Sequence, residues 1–188
     1  MSIKISFTLD DDDLKYFRTL IGEARKYAQG HQASEVIAAV RGTVSKARQT
    51  PKLPGFAGEA IDALESLIDM VEDKDWALPK AISDRVVSAL AYFAQPQDLI
   101  PDHVPGLGFL DDAIMIKIVE QEFEYDLDGY REFRRFREGA EQRPWTNVAR
   151  ERLPRRLKEK RDEIRARIED KKARRAEKRR AGGFGRFW

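Results

Sequence analysis

Apolar residues recur three and four positions apart along most of this chain, which is the spacing of one face of an α-helix. Five such runs predict helices, which begin near Asp10, near Ser34, after the loop KLPGFAG, at Pro79 and near Asp111. Only residues 2–9 alternate apolar and polar side chains in the manner of a strand, and a lone strand leaves backbone groups without partners. We therefore expect an all-α protein of about six helices, counting a basic C-terminal helix.

The N-terminal segment is expected to be a short extended arm at residues 2–9 that lies on the helices. Pairing of these residues across a homodimer is the alternative, because it would also give the backbone groups partners. The four aspartates that follow, Asp10 to Asp13, are typical of a helix start, where the helix dipole favours negative charge. A calcium loop would need alternating ligands, a central glycine and a later glutamate, so we favour the helix start.

Charge is distributed unevenly along the chain. The 188 residues carry 35 Lys and Arg against 33 Asp and Glu, so the formal net charge is only +2. Residues 1–130 hold 23 acidic and 13 basic residues, whereas residues 131–188 hold 10 acidic and 22 basic residues. We expect an N-terminal arm and helical pair at 1–50, a helical domain at 51–139, and a basic helical tail with a flexible aromatic end at 140–188.

Composition excludes several classes of site. The chain has no cysteine, so disulfides, thiolate metal sites and cysteine nucleophiles are impossible. Its two histidines, His31 and His103, lie in polar turns and share no motif with a nucleophile. Neither a secretion leader nor an apolar run of about 18 residues is present, which indicates a cytoplasmic protein. We expect no cofactor.

Local signals also predict two interruptions near the C-terminal third. Gly129 is expected to break the helix ahead of the arginine and aromatic segment YREFRRFR, because glycine is a poor helix former. The pair Leu153-Pro154 is expected to form a joint, because the residue before a proline is pushed out of the helical region. Between the third and fourth helices, Trp76 is expected to be an anchor in the core.

The basic tail predicts binding to a polyanion. Residues 155–180 are almost all good helix formers, and their few apolar positions allow only part of one narrow face to pack, so this helix is expected to protrude. Its cations attract nucleic acid by counterion release, or an anionic bilayer by about 1 kcal/mol per basic residue. The candidate polyanion-binding residues are Arg155, Arg156, Lys158, Lys160, Arg161, Lys171, Lys172, Arg174, Arg175, Lys178, Arg179 and Arg180.

RNA or a ribonucleoprotein is the first expectation for this polyanion, because the terminal Phe184, Phe187 and Trp188 can stack on unpaired bases and no DNA-reading module is evident. Peripheral binding to an anionic membrane surface, at the inner face of the membrane, is the alternative. The tail can instead be a solvated helix whose acids pair with neighbouring bases. Truncation after Gly139 is expected to abolish binding and leave the acidic body folded, with a surface for a protein partner.

Residues 96–112, PQDLIPDHVPGLGFLDD, carry a motif more specific than periodicity. This motif resembles the signature of the bacterial YkvA-like family, a domain of unknown function, and the resemblance extends over residues 78–125. It implies a central helical hairpin closed by a rigid proline turn and, in some members, an association with membranes. The matching positions are Pro96, Asp98, Leu99, Ile100, Pro101, Asp102, Pro105, Gly108, Asp111 and Asp112.

Four carboxylates of this motif, Asp98, Asp102, Asp111 and Asp112, also offer oxygen ligands for a magnesium or calcium ion. We favour turns and helix starts for them, because such caps need only these spacings. The neighbours are apolar rather than the converging polar groups that an active site needs. A non-enzymatic binding or adaptor protein is therefore expected, and a divalent-metal-dependent hydrolase is the second alternative.

Overall fold

The computed structural model describes residues 8–51, 53–94, 109–142 and 147–183. These residues form seven α-helices and one short 3-10 helix, and no strand occurs among them, which confirms the all-α class. The elements are α1 (Asp11–Ala28), α2 (Ala33–Arg48), α3 (Gly55–Glu72), α4 (Lys80–Leu90), a 3-10 helix (Ala91–Ala94), α5 (Leu110–Glu122), α6 (Glu124–Glu141) and α7 (Asn147–Gly183). The predicted arm and dimer contact at residues 2–9 lie almost wholly outside the described part.

Two compact units make up the chain. The N-terminal unit contains Met1–Val71 and Pro79–Glu122, and the hairpin unit contains Glu72–Leu78 and Phe123–Trp188. The predicted boundaries at residues 50 and 139 are not boundaries of these units, and the division into three segments stays a prediction.

The N-terminal unit is a helical cluster around aliphatic side chains. Val40 of α2, Leu67 and Ile68 of α3, and Val86 and Leu90 of α4 are all fully buried. Within each helix the buried apolar residues recur at helical spacing, so they lie on one face and pack inward. The helical periodicity of the sequence predicts an apolar face of this kind on each of these helices.

Helix starts in this unit follow local capping chemistry. The Asp10 carboxylate accepts hydrogen bonds from the backbone N–H groups of Asp12 (2.9 Å) and Asp13 (3.0 Å), which confirms the helix-start interpretation of the acidic run. Helix α2 begins at Ala33, close to the predicted start near Ser34, and its N-cap residue is Gln32. The Glu35 carboxylate accepts a hydrogen bond from the Gln32 N–H (2.9 Å), as in a capping box.

One carboxylate joins three helices of the N-terminal unit. Glu122, the last residue of α5, lies 2.7 Å from the Arg25 guanidinium of α1 and 3.0 Å from the Arg85 guanidinium of α4. The Glu122 side chain is 28% exposed, so solvent screens these ion pairs only in part.

The hairpin unit consists of two antiparallel helices, α6 and α7, and a short strap that we define as Glu72–Leu78. The direction follows from the ion pairs, because Glu132 contacts Lys160 and Arg167 whereas Asp126 contacts Lys172. Residues later in α7 therefore contact residues earlier in α6, so the two helices run in opposite directions.

Both predicted interruptions are wrong. Helix α6 continues through Gly129, and α7 continues through Pro154. The Gly129 position has close neighbours, since a Cβ atom built there would lie 2.5 Å from Ile168 Cδ1 and 2.9 Å from Ile164 Cγ2. Glycine therefore lets α7 approach α6, and tertiary packing outweighs its low helix propensity.

Candidate functional site

Helix α7 docks on α6 through three aliphatic side chains. Leu157, Ile164 and Ile168 are buried, with Ile164 fully inaccessible, and they share one face of α7. The opposing surface of α6 includes Gly129 and the fully buried Phe133. The prediction that part of one narrow face of this helix can pack is confirmed, and only the expected protrusion is wrong for the part of α7 that these residues hold along α6.

The strap covers one edge of this helical pair. The buried Trp76 ring lies 5.8 Å from the Tyr130 ring and 5.3 Å from the Phe133 ring, between centroids. From α7, the Arg165 guanidinium lies 5.3 Å from the Trp76 ring centroid and donates to the carbonyls of Trp76 and Ala77. Burial lowers the pKa of Arg165 from its usual value.

A charged contact fixes the strap to α6. The Asp73 carboxylate lies 2.8 Å from the Arg137 guanidinium and accepts hydrogen bonds from the backbone N–H groups of Asp75 (2.9 Å) and Trp76 (3.0 Å). Burial alone would raise the pKa of Asp73, but these hydrogen bonds outweigh it and hold that pKa below its usual value. Tyr130 also donates its hydroxyl to this carboxylate, at 3.2 Å.

The opposite edge of the pair carries a row of cations that we call the basic stripe. Its members recur at helical spacing on one face of α7, which places them side by side over about 33 Å at 1.5 Å per residue. All of them are exposed except Lys160, whose side chain is 21% exposed. The basic stripe consists of Arg156, Lys160, Arg167, Lys171, Arg174 and Lys178.

Acidic side chains neutralise the middle of the basic stripe. Glu132 of α6 contacts both Lys160 (3.1 Å) and Arg167, and Glu163 lies 3.0 Å from the Lys160 ammonium. Hydrogen bonds to Glu163 and Glu132 raise the pKa of Lys160. The middle of the stripe has less positive charge to offer to a ligand than its ends have.

The C-terminal part of the basic stripe makes fewer ion pairs than its middle. Arg174 pairs with Asp170 of its own helix, at 3.0 Å, and is 74% exposed. Lys171 and Lys178 are exposed and make no ion pair with the residues that the structure describes. Between Lys171 and Gly183 the chain has seven basic residues and a single acid, Glu177, so this end of α7 is the most positive part of the hairpin unit.

Two aromatic rings of α6 lie along the stripe. The Arg156 guanidinium is 5.7 Å from the Phe136 ring centroid, and the Arg175 guanidinium is 5.5 Å from the Tyr125 ring centroid. The two rings are three helical turns apart in α6, so they lie on the same face. Both are half-buried.

In the structure, the candidate cations predicted from the sequence differ in whether they have an ion-pair or hydrogen-bond partner. Those turned toward α6 or the strap have partners there: Lys160 with Glu132, Arg161 with the Asp75 carbonyl, Lys172 with Asp126 and Arg175 with Glu124. Arg155 and Arg174 pair within α7. Lys158, Lys171, Lys178 and Arg180 are exposed, and within the described ranges they have no ion-pair partner. The Arg179 side chain lies outside the described part, as do Phe184, Phe187 and Trp188.

Two arginines of α7 that make contacts in the hairpin unit are absent from the candidates that the sequence suggested. Arg167 belongs to the basic stripe, and Arg165 holds the strap. The spacing of Arg167 from Lys160 and Lys171, seven and four residues, was a signal that could have found it. No signal in the sequence paired Arg165 with Trp76, because 89 positions separate them.

The carboxylate cluster of the motif is described only in part. Asp111 is 3% exposed at the start of α5, and Asp112 lines a cavity of about 270 Å³ together with Lys46 and Phe93. Within the described ranges, no group of three or more acidic or histidine side chains is arranged to hold a metal ion. The remaining motif positions lie outside those ranges: Pro96, Asp98, Leu99, Ile100, Pro101, Asp102, Pro105 and Gly108. The metal-dependent hydrolase stays a prediction.

Of the helices in the described part of the chain, none combines the length and the apolar character that crossing a bilayer requires.

Comparison with known proteins places the motif segment in a family. Residues 85–118 match the family described as "Protein of unknown function (DUF1232)". The chain is also 35% identical to the "Uncharacterized membrane protein YkvA" of Bacillus subtilis (strain 168) over 49 residues, which are 26% of this chain and 46% of that protein. The chain thus spans about half the length of this curated relative. No solved structure matches the chain significantly. These matches confirm that this segment of the chain resembles the YkvA-like family of unknown function.

Proposed function

We propose that this chain is a binding protein that engages a polyanion, RNA in the first place, through the basic stripe of the hairpin unit. The observation that carries the proposal is the helical register of the stripe, which brings six cations from 23 residues of α7 onto one face. A linear array of this kind matches the linear array of phosphates in a nucleic acid, and counterion release supplies the free energy.

The expected contact surface is narrower than the charge of the whole tail suggests. Cations that already pair with α6 gain little from a phosphate, because an existing ion pair must first be broken. The principal contacts are therefore Lys171 and Lys178, which have no ion-pair partner within the described ranges, and Arg174, whose pair with Asp170 is exposed and screened by solvent. The charge-balanced middle around Glu132 contributes less.

The polar exposed surface of α7 favours a nucleic acid over a bilayer. All three large aliphatic side chains of α7 between residues 155 and 183 are buried on α6, so the exposed surface there is polar. A helix that lies in a membrane interface needs an apolar face to insert, whereas phosphate binding needs none. The description of the relative as a membrane protein keeps an anionic bilayer as the alternative polyanion.

The test measures binding of the intact protein to single-stranded RNA, duplex RNA and phosphatidylserine-containing vesicles between about 50 and 200 mM salt. The stripe variant replaces Lys171, Arg174 and Lys178 with alanine. The control variant replaces three exposed cations of α1, Lys15, Arg18 and Lys26, so that both variants remove the same charge.

We expect the stripe variant to reduce the slope of log affinity against log salt by about 2, at roughly 0.7 for each phosphate of a single strand that the variant no longer neutralises. The control variant should leave the slope unchanged. Equal effects of the two variants would show that binding depends only on net charge, and this result would contradict the proposal. Binding to vesicles alone would assign the stripe to an anionic membrane surface.

A further inference from the structure

The basic stripe differs from a simple row of charges because two arginine–aromatic pairs lie along it. Arg156 lies over Phe136 and Arg175 lies over Tyr125, at 5.7 and 5.5 Å from the ring centroids. Phe136 and Tyr125 are separated by 11 positions of one helix, so they lie about 16 Å apart on the same face.

Each pair is partly accessible to solvent. The rings are half-buried against the hairpin, whereas both guanidinium groups belong to exposed residues, with Arg175 46% exposed. Nucleic-acid bases stack on aromatic rings and on guanidinium planes, and such stacking tolerates any base because every base has a π-face.

The region between the two pairs suits a phosphate backbone only if its acids are neutralised. Glu132 and Glu163 both lie there, and each of them pairs with Lys160 and with Arg167. Two cations thus balance two carboxylates, which therefore do not repel a strand that passes from one pair to the other.

On the basis of the proposed function, we infer that the stripe is a site for single-stranded nucleic acid, in which Phe136 with Arg156 and Tyr125 with Arg175 are two base-stacking positions. A duplex keeps its bases stacked inside and cannot use these positions, so it binds through phosphates alone. Single strands are thus the ligand class that this polyanion site prefers.

The experiment compares a poly-uridine single strand with an RNA duplex of equal phosphate number. The test variant combines Tyr125→Leu and Phe136→Leu, which removes both rings and leaves every cation in place. A rescue variant, Tyr125→Phe with Phe136→Trp, keeps two rings. The control is Tyr16→Leu, which removes a 55% exposed ring of α1 outside the stripe.

For the leucine variant we expect weaker binding to the single strand, by roughly 5- to 100-fold for each stack that is removed. Its salt slope and its affinity for the duplex should not change, because the phosphate contacts remain. The rescue variant and the Tyr16 control should bind the single strand as the unmodified protein does.

An unchanged single-strand affinity in the leucine variant would overturn the inference, as would an equal loss for single strand and duplex. This failure is distinguishable from failure of the polyanion site itself. If the alanine variant of Lys171, Arg174 and Lys178 lowers the salt slope while the leucine variant does nothing, the stripe binds phosphates and only the stacking inference fails.

Discussion

At the scale of single residues, Gly129 determines how closely the two helices of the hairpin unit approach. A methyl group at this position would meet Ile168 Cδ1 at 2.5 Å and Ile164 Cγ2 at 2.9 Å. We expect Gly129→Ala to lower the free energy of unfolding by about 1–3 kcal/mol, which is the usual cost of overpacking. Thermal or urea unfolding of the full chain measures this change.

The matched control is Gly139→Ala in the same helix. A Cβ atom at Gly139 has nothing within 4 Å, so the substitution should stabilise α6 by roughly 0.5–1 kcal/mol through helix propensity. The two substitutions are chemically identical and are expected to have opposite signs. The same sign for both would contradict the close approach of α7 at Gly129.

Asp73 makes the attachment of the strap depend on pH. Its pKa in the folded protein is lowered, so its contribution is complete above the unfolded value of about 3.9 and disappears as pH falls through the folded value. We expect Asp73→Asn to cost about 1–3 kcal/mol near neutral pH, because Arg137 loses the closer of its two carboxylate partners and keeps Asp75. Urea unfolding at several pH values compares the two proteins.

The difference in stability between the Asp73→Asn variant and the unmodified chain should narrow as pH falls below about 4. At low pH the native carboxyl group is itself protonated, and the two proteins then resemble one another. A difference that stays constant from neutral to acidic pH would show that Asp73 acts by shape and not by charge.

At the scale of elements, helical periodicity was sufficient to predict the N-terminal unit. Val40, Leu64 and Val86 each recur at helical spacing with other apolar residues of their helix, and all three are buried. Spacing succeeds there because each of these helices has a continuous apolar face, so local pattern and tertiary packing agree.

The same reasoning failed where packing overrides local preference. A glycine in a helix reads as a weak point, but only the structure shows that Ile164 and Ile168 occupy the space beside Gly129. The three widely spaced apolar residues of α7 indicated that part of one narrow face can pack, but they did not indicate that this face packs on α6. Ion pairs such as Lys172–Asp126, 2.9 Å long across 46 positions, are likewise invisible to local spacing.

The sequence predicted that truncation after Gly139 leaves the acidic body folded. Because α7 packs on α6, we now expect a different result for the hairpin unit. That truncation removes Leu157, Ile164 and Ile168, whose burial contributes roughly 5–9 kcal/mol at 1.5–3 kcal/mol each. This amount is comparable to the whole stability of a typical domain, so we expect the hairpin unit to unfold.

Truncation after Ala176 provides the contrast. It keeps Leu157, Ile164, Ile168 and the Arg175 contact with Tyr125, and it removes only the distal basic end. Circular dichroism should show full loss of α6 helicity in the first truncation and none in the second. A chain ending at Gly139 that retains the helicity of α6 would contradict the structural role of α7.

At the scale of the whole molecule, ligand binding and stability are linked. A polyanion that binds only the folded hairpin unit should stabilise it by about 2.7 kcal/mol when present at 100 times its dissociation constant. We expect single-stranded RNA to raise the melting temperature of the full chain at low salt, and to do so less as salt increases. The alanine variant of Lys171, Arg174 and Lys178 should show a smaller rise.

The strap limits how the hairpin unit can be transferred to another protein by gene fusion. The family match at residues 85–118 lies inside the N-terminal unit, whereas Trp76, which packs on α6, lies ahead of it in the chain. A gene fusion that moved residues 123–188 to another protein would leave Trp76 and Asp73 behind. We therefore expect residues 123–188 to fold poorly when they are moved alone, because the partners of Phe133 and Arg137 come from the short connection between α3 and α4.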